Sequence, residues 1–395
     1  MVKSLIKWPG GKSREIAQIE DLIPSYDRYI EPFFGGGAVF FNQKPNHSYI
    51  NDISTNLVSF YRLVKDNDIS FKNYLNLYSN TWNYMLNFSD VNMNLLVEQY
   101  ILFRNNNIYF ASLKTFIEQF VINSKLELNN NLSQDIILDF DDLYNELNKN
   151  LLDKFKRTKE NEIKNETLLS DIDLKNNLKT GIMNSLYMYF RNLYNDISLS
   201  RNGKENLPIQ AKIANFYFIR EYCYGSMFRY NRSREFNIPY GGISYNNKDF
   251  NRKINNLFNP EITNLFENTH IYNLDFEEFL RSIDLTANDF IFLDPPYDTE
   301  FSDYEGRSFD STDQERLANF LINTEAKFIL VIKNTDFIFN LYNNTNLNIL
   351  TFEKQYSYNV RERNNRNVKH LIITNIEEIC YNSLANIEVT QIHTE

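Results

Sequence analysis

The sequence predicts an α/β fold in which short buried strands carry chemistry at their carboxyl tips, with a long helical segment set between them. Three observations point to it. Phe290 to Leu293 is a run of four apolar residues, the pattern of a strand inside a parallel sheet, and it ends at Asp294-Pro295-Pro296-Tyr297. Tyr29 to Phe41 reads as strand, glycine loop and helix, and His47 to Asp52 as a second short strand ending in an acid. From residue 53 to about 215 the pattern changes to apolar residues at helical spacing, as in Leu57, Phe60, Tyr61 and Val64.

Composition bounds the function. The 395 residues suffice for one large domain with an insertion, or for two domains. Forty-one basic residues against 51 acidic ones give a net charge of −10, which argues against a protein that coats nucleic acid without specificity and leaves room for a local basic cleft. No apolar run is long enough to span a bilayer, and the start lacks the apolar core of a signal peptide. Cys223 and Cys380 form no metal-spacing motif and read as free thiols in a reducing cytoplasm.

Taken in order, the chain first offers Trp8-Pro9-Gly10-Gly11-Lys12. Gly11-Lys12-Ser13 resembles the end of a P-loop, but that motif needs a glycine where Ile6 stands, so nucleoside triphosphate binding is excluded here. Gly10 and Gly11 instead make a turn open to close approach, Lys12 can pair with a carboxylate, and Trp8 offers an apolar wall. In Glu31-Pro32-Phe33-Phe34-Gly35-Gly36-Gly37 the glycines let backbone approach a ligand at a helix N-terminus. A dinucleotide fingerprint would need another glycine at Phe40, so NAD and FAD fit poorly. Asp52, at the tip of the second strand, suits the two hydroxyls of a ribose, or caps a helix over Ile53 to Lys65.

Between these elements and the later strands, residues 53 to 215 read as a mostly helical insertion. Runs such as Asn129 to Asn131 and Lys154 to Lys164 are expected as mobile connections. Ala214 to Gly242 interleaves aromatics with Arg220, Arg229, Arg232 and Arg234, a composition suited to phosphate pairing and base-edge reading, or to a core helix with a solvated arginine face. Thr269 to Leu274 reads as a third strand, followed by Asp275, which could meet an adenine amino group or cap the next helix. After Asp294 the two prolines fix a rigid extended bend. A carboxylate, backbone carbonyls and the Tyr297 ring then make a site for a flat base bearing an amino group, where the bland reading is a turn after a strand. Phe301 to Asp313 reads as a loop over the site, Gln314 to Asn323 as a helix and Phe328 to Ile332 as a buried strand. Ile349 to Tyr358 and Lys369 to Thr374 read as an antiparallel pair joined by a basic loop with Arg361, Arg363 and Arg366, suited to phosphates or to a soluble hairpin tip.

As an ordered set, Trp8-Pro9-Gly10-Gly11-Lys12, Glu31-Pro32-Phe33-x-Gly35-x-Gly37, Asn51-Asp52, the run from Arg229-Tyr230-Asn231 to Pro239-Tyr240-Gly241, and Asp294-Pro295-Pro296-Tyr297 resemble the Dam-like (class alpha, D12) DNA adenine methyltransferases. The resemblance covers residues 1 to 65 and 215 to 375. It implies a doubly wound, mostly parallel, seven-stranded Rossmann-like sheet with an antiparallel last strand, S-adenosylmethionine as methyl donor, and duplex DNA as substrate. It places residues 1–65 and 255–395 in the catalytic domain and 66–254 in a helical insertion holding the target-recognition region. Trp8, Lys12, Asp52 and Asp294 match the family's cofactor contacts. Gly10, Glu31, Phe33, Gly35, Gly37 and Asp275 join that set. Asp294, Pro295 and Tyr297 are the expected catalytic residues. Arg229, Asn231, Arg232, Pro239 and Tyr240 are the expected DNA contacts, with Arg361, Arg363 and Arg366. No metal is expected. A cognate restriction endonuclease is a further candidate partner, and the chain is expected to act in the cytoplasm as a monomer or weak dimer. Two departures stand out: Pro9, where the family usually has Ala, and Gly225-Ser226-Met227-Phe228, which leaves the target sequence open. An amino methyltransferase acting on RNA or cytosine, and a catalytically silent DNA-binding relative, are the competing readings.

Overall fold

The structure, a computed structural model, describes residues 3–11, 15–296, 309–343, 345–355, 367–377 and 387–391. Lys12, Tyr297, Arg361, Arg363, Arg366, Cys380 and the first eight residues of the expected loop over Phe301 to Asp313 lie outside the described residues.

The chain forms two compact units, Met1–Asp66 with Asn259–Glu395, and Asn67–Phe258. The first is built on a sheet of β1 (Arg28–Glu31), β2 (Ser48–Asn51), β3 (Thr269–Tyr272), β4 (Asp289–Leu293), β5 (Lys327–Lys333), β6 (Asn348–Gln355), β7 (Asn367–Thr374) and β8 (Ile387–Gln391). Their order across the sheet is β3-β2-β1-β4-β5-β7-β6-β8. The pairs among β3, β2, β1, β4 and β5 are parallel, and β7 runs antiparallel between β5 and β6. Seven strands thus make the expected Rossmann-like sheet. An eighth, β8, extends it antiparallel to β6, beyond the last strand expected from the sequence.

Apolar residues dictate the centre of this sheet. All five residues of β4 are buried, and β5 buries Phe328 to Ile332 between two partly exposed lysines. Alternate residues of neighbouring strands feed one cluster, with Ile30, Ile291, Leu293, Phe328 and Leu330 packed under Phe276, Phe279, Leu317 and Leu321 from the covering helices. At the amino ends of β1 and β4 the Arg28 guanidinium grips Asp289, Nε to Oδ1 at 2.7 Å and Nη2 to Oδ2 at 2.6 Å, and the Thr286 N–H donates to the same carboxylate at 2.7 Å. Burial works against ionisation of Asp289, but these bonds outweigh it and hold the carboxyl below its ordinary range. Arg28 and Asp289 are register partners, so this bidentate pair fixes the level at which β1 and β4 begin.

Connections run from β1 to β2 and β3 on one side, and through β4 and β5 on the other. The order therefore reverses between β1 and β4. In an open α/β sheet the crevice at the carboxyl ends of such strands is where ligands bind.

The second unit is mainly helical: Ile69–Val91, Met93–Arg104, Phe110–Asn131, Phe140–Asn165, Asp171–Ser198 and Ile209–Tyr222. Asp68, Asp139 and Ser170 cap three of these at their N-termini through their side chains. Lys154 to Lys164, expected as a connection, lies inside the helix Phe140–Asn165. A buried stripe of Leu147, Leu151, Phe155, Thr158 and Glu162 anchors it, and the charges pair along its surface, Arg157 with Asp153 and Lys156 with Glu160, each at 3.9 Å. Asn129 to Asn131 is likewise helical, the last turn of Phe110–Asn131. Among the described residues no helix is long and apolar enough to cross a membrane.

Candidate active site

A cavity opens where the strand order reverses. Trp8 and Gly10 from the N-terminal turn, Glu31 at the end of β1 with Phe33, Gly35 and Gly37 after it, Asp52 after β2, Asp275 after β3, and Asp294 and Pro295 after β4 all line it. The glycine loop and the Asp-Pro-Pro bend therefore share one space.

The loop needs its glycines for packing as well as for ligand access. Gly35 and Gly37 have φ of +50° and +62°. A Cβ on Gly35 would lie 2.9 Å from the Trp8 ring, and one on Gly37 would lie 2.6 Å from the Phe34 ring. The Tyr61 hydroxyl donates to the Gly35 carbonyl at 3.0 Å, holding the loop from the helix Thr55–Lys65. Asp52 stands at the loop's other side. Its Oδ2 accepts the Gly35 N–H and its Oδ1 the Ser54 N–H, both at 2.9 Å. The helix cap here is Ser54, which accepts from Leu57, so Asp52 is not the N-cap that its position allowed.

Asn51, which the sequence offered only as part of a motif, ties three strand ends together. Its Nδ2 donates to the Pro32 carbonyl at 3.0 Å and to the Leu274 carbonyl at 3.1 Å, and its Oδ1 accepts the Leu274 N–H at 2.9 Å. The side chain is buried, with its bond to Pro32 buried and those to Leu274 partly so, and here it satisfies backbone groups that strand pairing leaves over.

Two more side chains were missed. Gln314, fully buried on the helix Ser311–Ile322, donates from Nε2 to the Pro296 carbonyl at 3.1 Å and braces the bend after β4. Arg316, on the same helix, pairs with Asp275 at 2.5 Å, Glu277 at 2.8 Å and Asp313 at 2.8 Å. Asp275 also caps the helix Phe276–Arg281 through the Glu277 N–H. Its carboxylate thus lines the cavity while engaged with a guanidinium, and of the two expected roles the helix cap is the one observed. The end of the expected loop over the site is also different: Asp310 closes a capping box and Ser311 begins the helix.

The cavity combines an aromatic wall with acids. Phe33, Phe276 and Phe309 stand with ring centroids 5.4–5.5 Å apart, leaving flat and edge-on surfaces for a planar ring. Glu31 is buried at the end of β1 and accepts the Tyr29 hydroxyl at 2.8 Å. Burial pushes its carboxyl well above the usual range. The Tyr29 bond opposes this, and the charges of Asp294 and Asp52 add to it. Among the described residues no group of histidine, cysteine and acidic side chains could hold a metal ion.

In the helical unit, Cys223 pairs with Tyr240 and Tyr230 with Phe236 as antiparallel bridges, making a small hairpin. Arg229, Asn231, Arg232 and Pro239 are exposed on it, and Arg229 Nε donates to Asn237 Oδ1 at 2.8 Å. Tyr240 is a correction. Only 7% exposed, it packs on Trp82 and Tyr187 and donates to Asn246 Oδ1 at 2.7 Å, so its apolar ring went to the core and its hydroxyl found a partner there. Arg220 is also buried rather than solvated. It donates to the Met227 and Ser226 carbonyls and lies over the Phe228 ring.

The sheet order and the cavity at its carboxyl edge define a Rossmann-like methyltransferase fold. Residues 8–134 and 110–358 match the D12 class N6 adenine-specific DNA methyltransferases, and the chain belongs to that family. It is 36% identical over 167 residues to the type II methyltransferase M.CviBI of Paramecium bursaria Chlorella virus NC1A, a match covering 41% of this chain and 60% of that enzyme. It is 25% identical over 365 residues to the type II methyltransferase M.MjaIII of Methanocaldococcus jannaschii, covering 88% of this chain and 90% of that one. A retron Ec67 DNA adenine methylase of Escherichia coli is 31% identical over 154 residues, 38% of this chain and 51% of that enzyme.

Proposed function

We propose that the protein transfers a methyl group from S-adenosylmethionine to the exocyclic amino nitrogen of an adenine turned out of duplex DNA. The single observation that carries this is the cavity holding the glycine loop, Asp52 and the Asp294-Pro295 bend together. The donor set suits the cofactor. Asp52 accepts the Gly35 and Ser54 N–H groups and lines the cavity, where its carboxylate suits ribose hydroxyls. The Phe33, Phe276 and Phe309 rings suit a purine, and Trp8, Gly10, Gly35 and Gly37 bound the remainder. Lys12, by its place in the sequence, is assigned the carboxylate end. Bound there, the cofactor would supply an electrophilic sulfonium methyl.

The amino nitrogen of adenine is a poor nucleophile because its lone pair is delocalised into the ring. The Asp294 carboxylate and the Pro295 carbonyl would accept its two hydrogens, favouring a more tetrahedral nitrogen with the lone pair directed away from the ring. Gln314 braces the same bend through Pro296, which keeps both acceptors in place before the base arrives. Placement of this kind is worth roughly 7–11 kcal/mol in favourable cases. Tyr297 would stack on the extruded base, and stacking at about 1–3 kcal/mol offsets much of the few kcal/mol that unstacking costs. Arg229, Asn231 and Arg232 would read the flanking bases from the hairpin.

The viral and archaeal relatives are named type II methyltransferases, which is the ground for proposing an accompanying restriction endonuclease as a partner. The test is a labelled-methyl assay of the purified protein on duplex DNA and on RNA. Label on N6 of adenine in DNA, lost in Asp294→Ala, is the expected result. Label only in RNA or on cytosine, or full turnover by Asp294→Ala, refutes the proposal.

A further inference from the structure

We propose that Asn195, on the helical insertion, is a positioning residue for target-sequence discrimination. It holds the hairpin Arg229 to Asn237 at the height from which its tip meets base edges. This rests on the reading that the hairpin contacts DNA.

Asn195 lies in the last turn of the helix Asp171–Ser198 and is 7% exposed. Its Oδ1 accepts the Phe236 N–H at 2.8 Å, and its Nδ2 donates to the Phe236 carbonyl at 3.2 Å. These are the two bonds that a residue of a neighbouring strand would make. A carboxamide has the same planar donor and acceptor as a peptide group, so asparagine can stand in for the missing strand, whereas aspartate has no donor for the carbonyl. Around this centre the same stretch of chain adds further contacts. Tyr187 and Arg191 Nη1 donate to the Ile238 carbonyl at 2.8 and 3.4 Å, the Tyr194 ring meets the Phe236 ring edge-on at 5.7 Å while its hydroxyl lies 3.3 Å from that of Tyr230, and Arg201 Nη1 reaches Glu235 Oε1 at 2.6 Å.

The hairpin's own bonds set its shape but not its placement. Asn231 Oδ1 accepts the Ser233 and Glu235 N–H groups and forms the tip. A hairpin this short is not independently stable, so its attitude comes from what its inner strand is fastened to. The inner strand, at Phe236, is fastened to Asn195, and the outer strand carries the exposed Arg229. Phosphate contacts tolerate a displaced tip, because a charge near the backbone still counts. Bidentate base contacts do not, because both hydrogen bonds must meet their geometry at once. Loosening Asn195 therefore erodes discrimination before it erodes binding.

The experiment compares kcat/KM on a duplex carrying the methylated site, found by sequencing DNA from expressing cells, with kcat/KM on duplexes changed at one base pair. In Asn195→Ala the ratio is expected to fall about tenfold, with donor affinity and the salt dependence of DNA binding unchanged. Asn195→Asp should be no better, since a carboxylate would face the Phe236 carbonyl. Arg201→Ala, which opens an exposed ion pair, should lower the ratio about twofold. A folded Asn195→Ala protein with the wild-type ratio overturns the proposal. Should that variant not fold, an unchanged ratio in Arg201→Ala overturns it instead. A wild-type protein that methylates no DNA defeats the functional reading beneath, an outcome plainly distinct from loss of the Asn195 role.

Discussion

The two units hold their working residues in opposite ways. In the sheet unit, Glu31 is the last residue of its strand and Asp52 and Asp294 directly follow theirs, so the ladder does much to set their positions. In the helical unit, the exposed residues of the hairpin stand on a piece of chain too short to hold itself, fastened by side chains of a helix some forty residues earlier in sequence. The contrast is one of degree: the residues proposed for chemistry stand at strand ends that side chains such as Asn51 and Gln314 brace, whereas the hairpin proposed to read sequence is fastened mainly by side chains. Changes to the first should cost turnover or stability, and changes to the second should cost discrimination.

The sharpest break of that contrast is at the bend after β4. Asp294→Ala is expected to lower methyl transfer by about 10²–10³-fold with an unchanged thermal midpoint, the scale seen when one preorganised electrostatic partner is removed. A midpoint lowered along with activity would mean that Asp294 holds the fold together. Next is Asn51→Ala, which strips the Leu274 N–H and two carbonyls of a buried partner and should cost about 2–4 kcal/mol in denaturant titration. Gly37→Ala follows at about 1–3 kcal/mol, since it combines a left-handed φ with a clash against the Phe34 ring. An unaltered midpoint would show that the loop yields at no cost and is not held by geometry.

The smallest effect is a slope. Glu31 is raised in the folded protein above the usual 4.5, so the folded state binds its proton more tightly than the unfolded one. Stability from this group is complete below about pH 4.5 and is lost as pH rises toward the shifted value. Glu31→Gln should therefore flatten the fall in stability above pH 4.5, as read from unfolding curves at several pH values. A slope identical to wild type would place an ionised Glu31 in the fold.

What could be read from residue order alone follows the same division. The glycine loop, the acid-tipped strands and the Asp-Pro-Pro bend are legible because strand ends are punctuated locally by glycine, proline and aspartate. Gln314 and Arg316 are not, because nothing near them marks a side chain that will reach the Pro296 carbonyl or gather Asp275, Glu277 and Asp313. Asn195 is hidden for the same reason, one asparagine in a chain rich in them. Lys154 to Lys164 looked like a connection because its charge density masks a one-sided apolar stripe, visible only over the full length of the helix. Tyr240 shows the limit of motif transfer: Arg229, Asn231, Arg232 and Pro239 of the same motif are exposed, and it is not.

The Asn51 clamp has a bearing on redesign. Because a single carboxamide stitches Pro32 to Leu274, the loop that would cradle the donor and the turn that closes its far wall move as one body. Anyone reshaping this enzyme for a bulkier alkyl donor should carve space at the phenylalanine wall and leave that stitch alone, since cutting it would slacken both ends of the donor seat together.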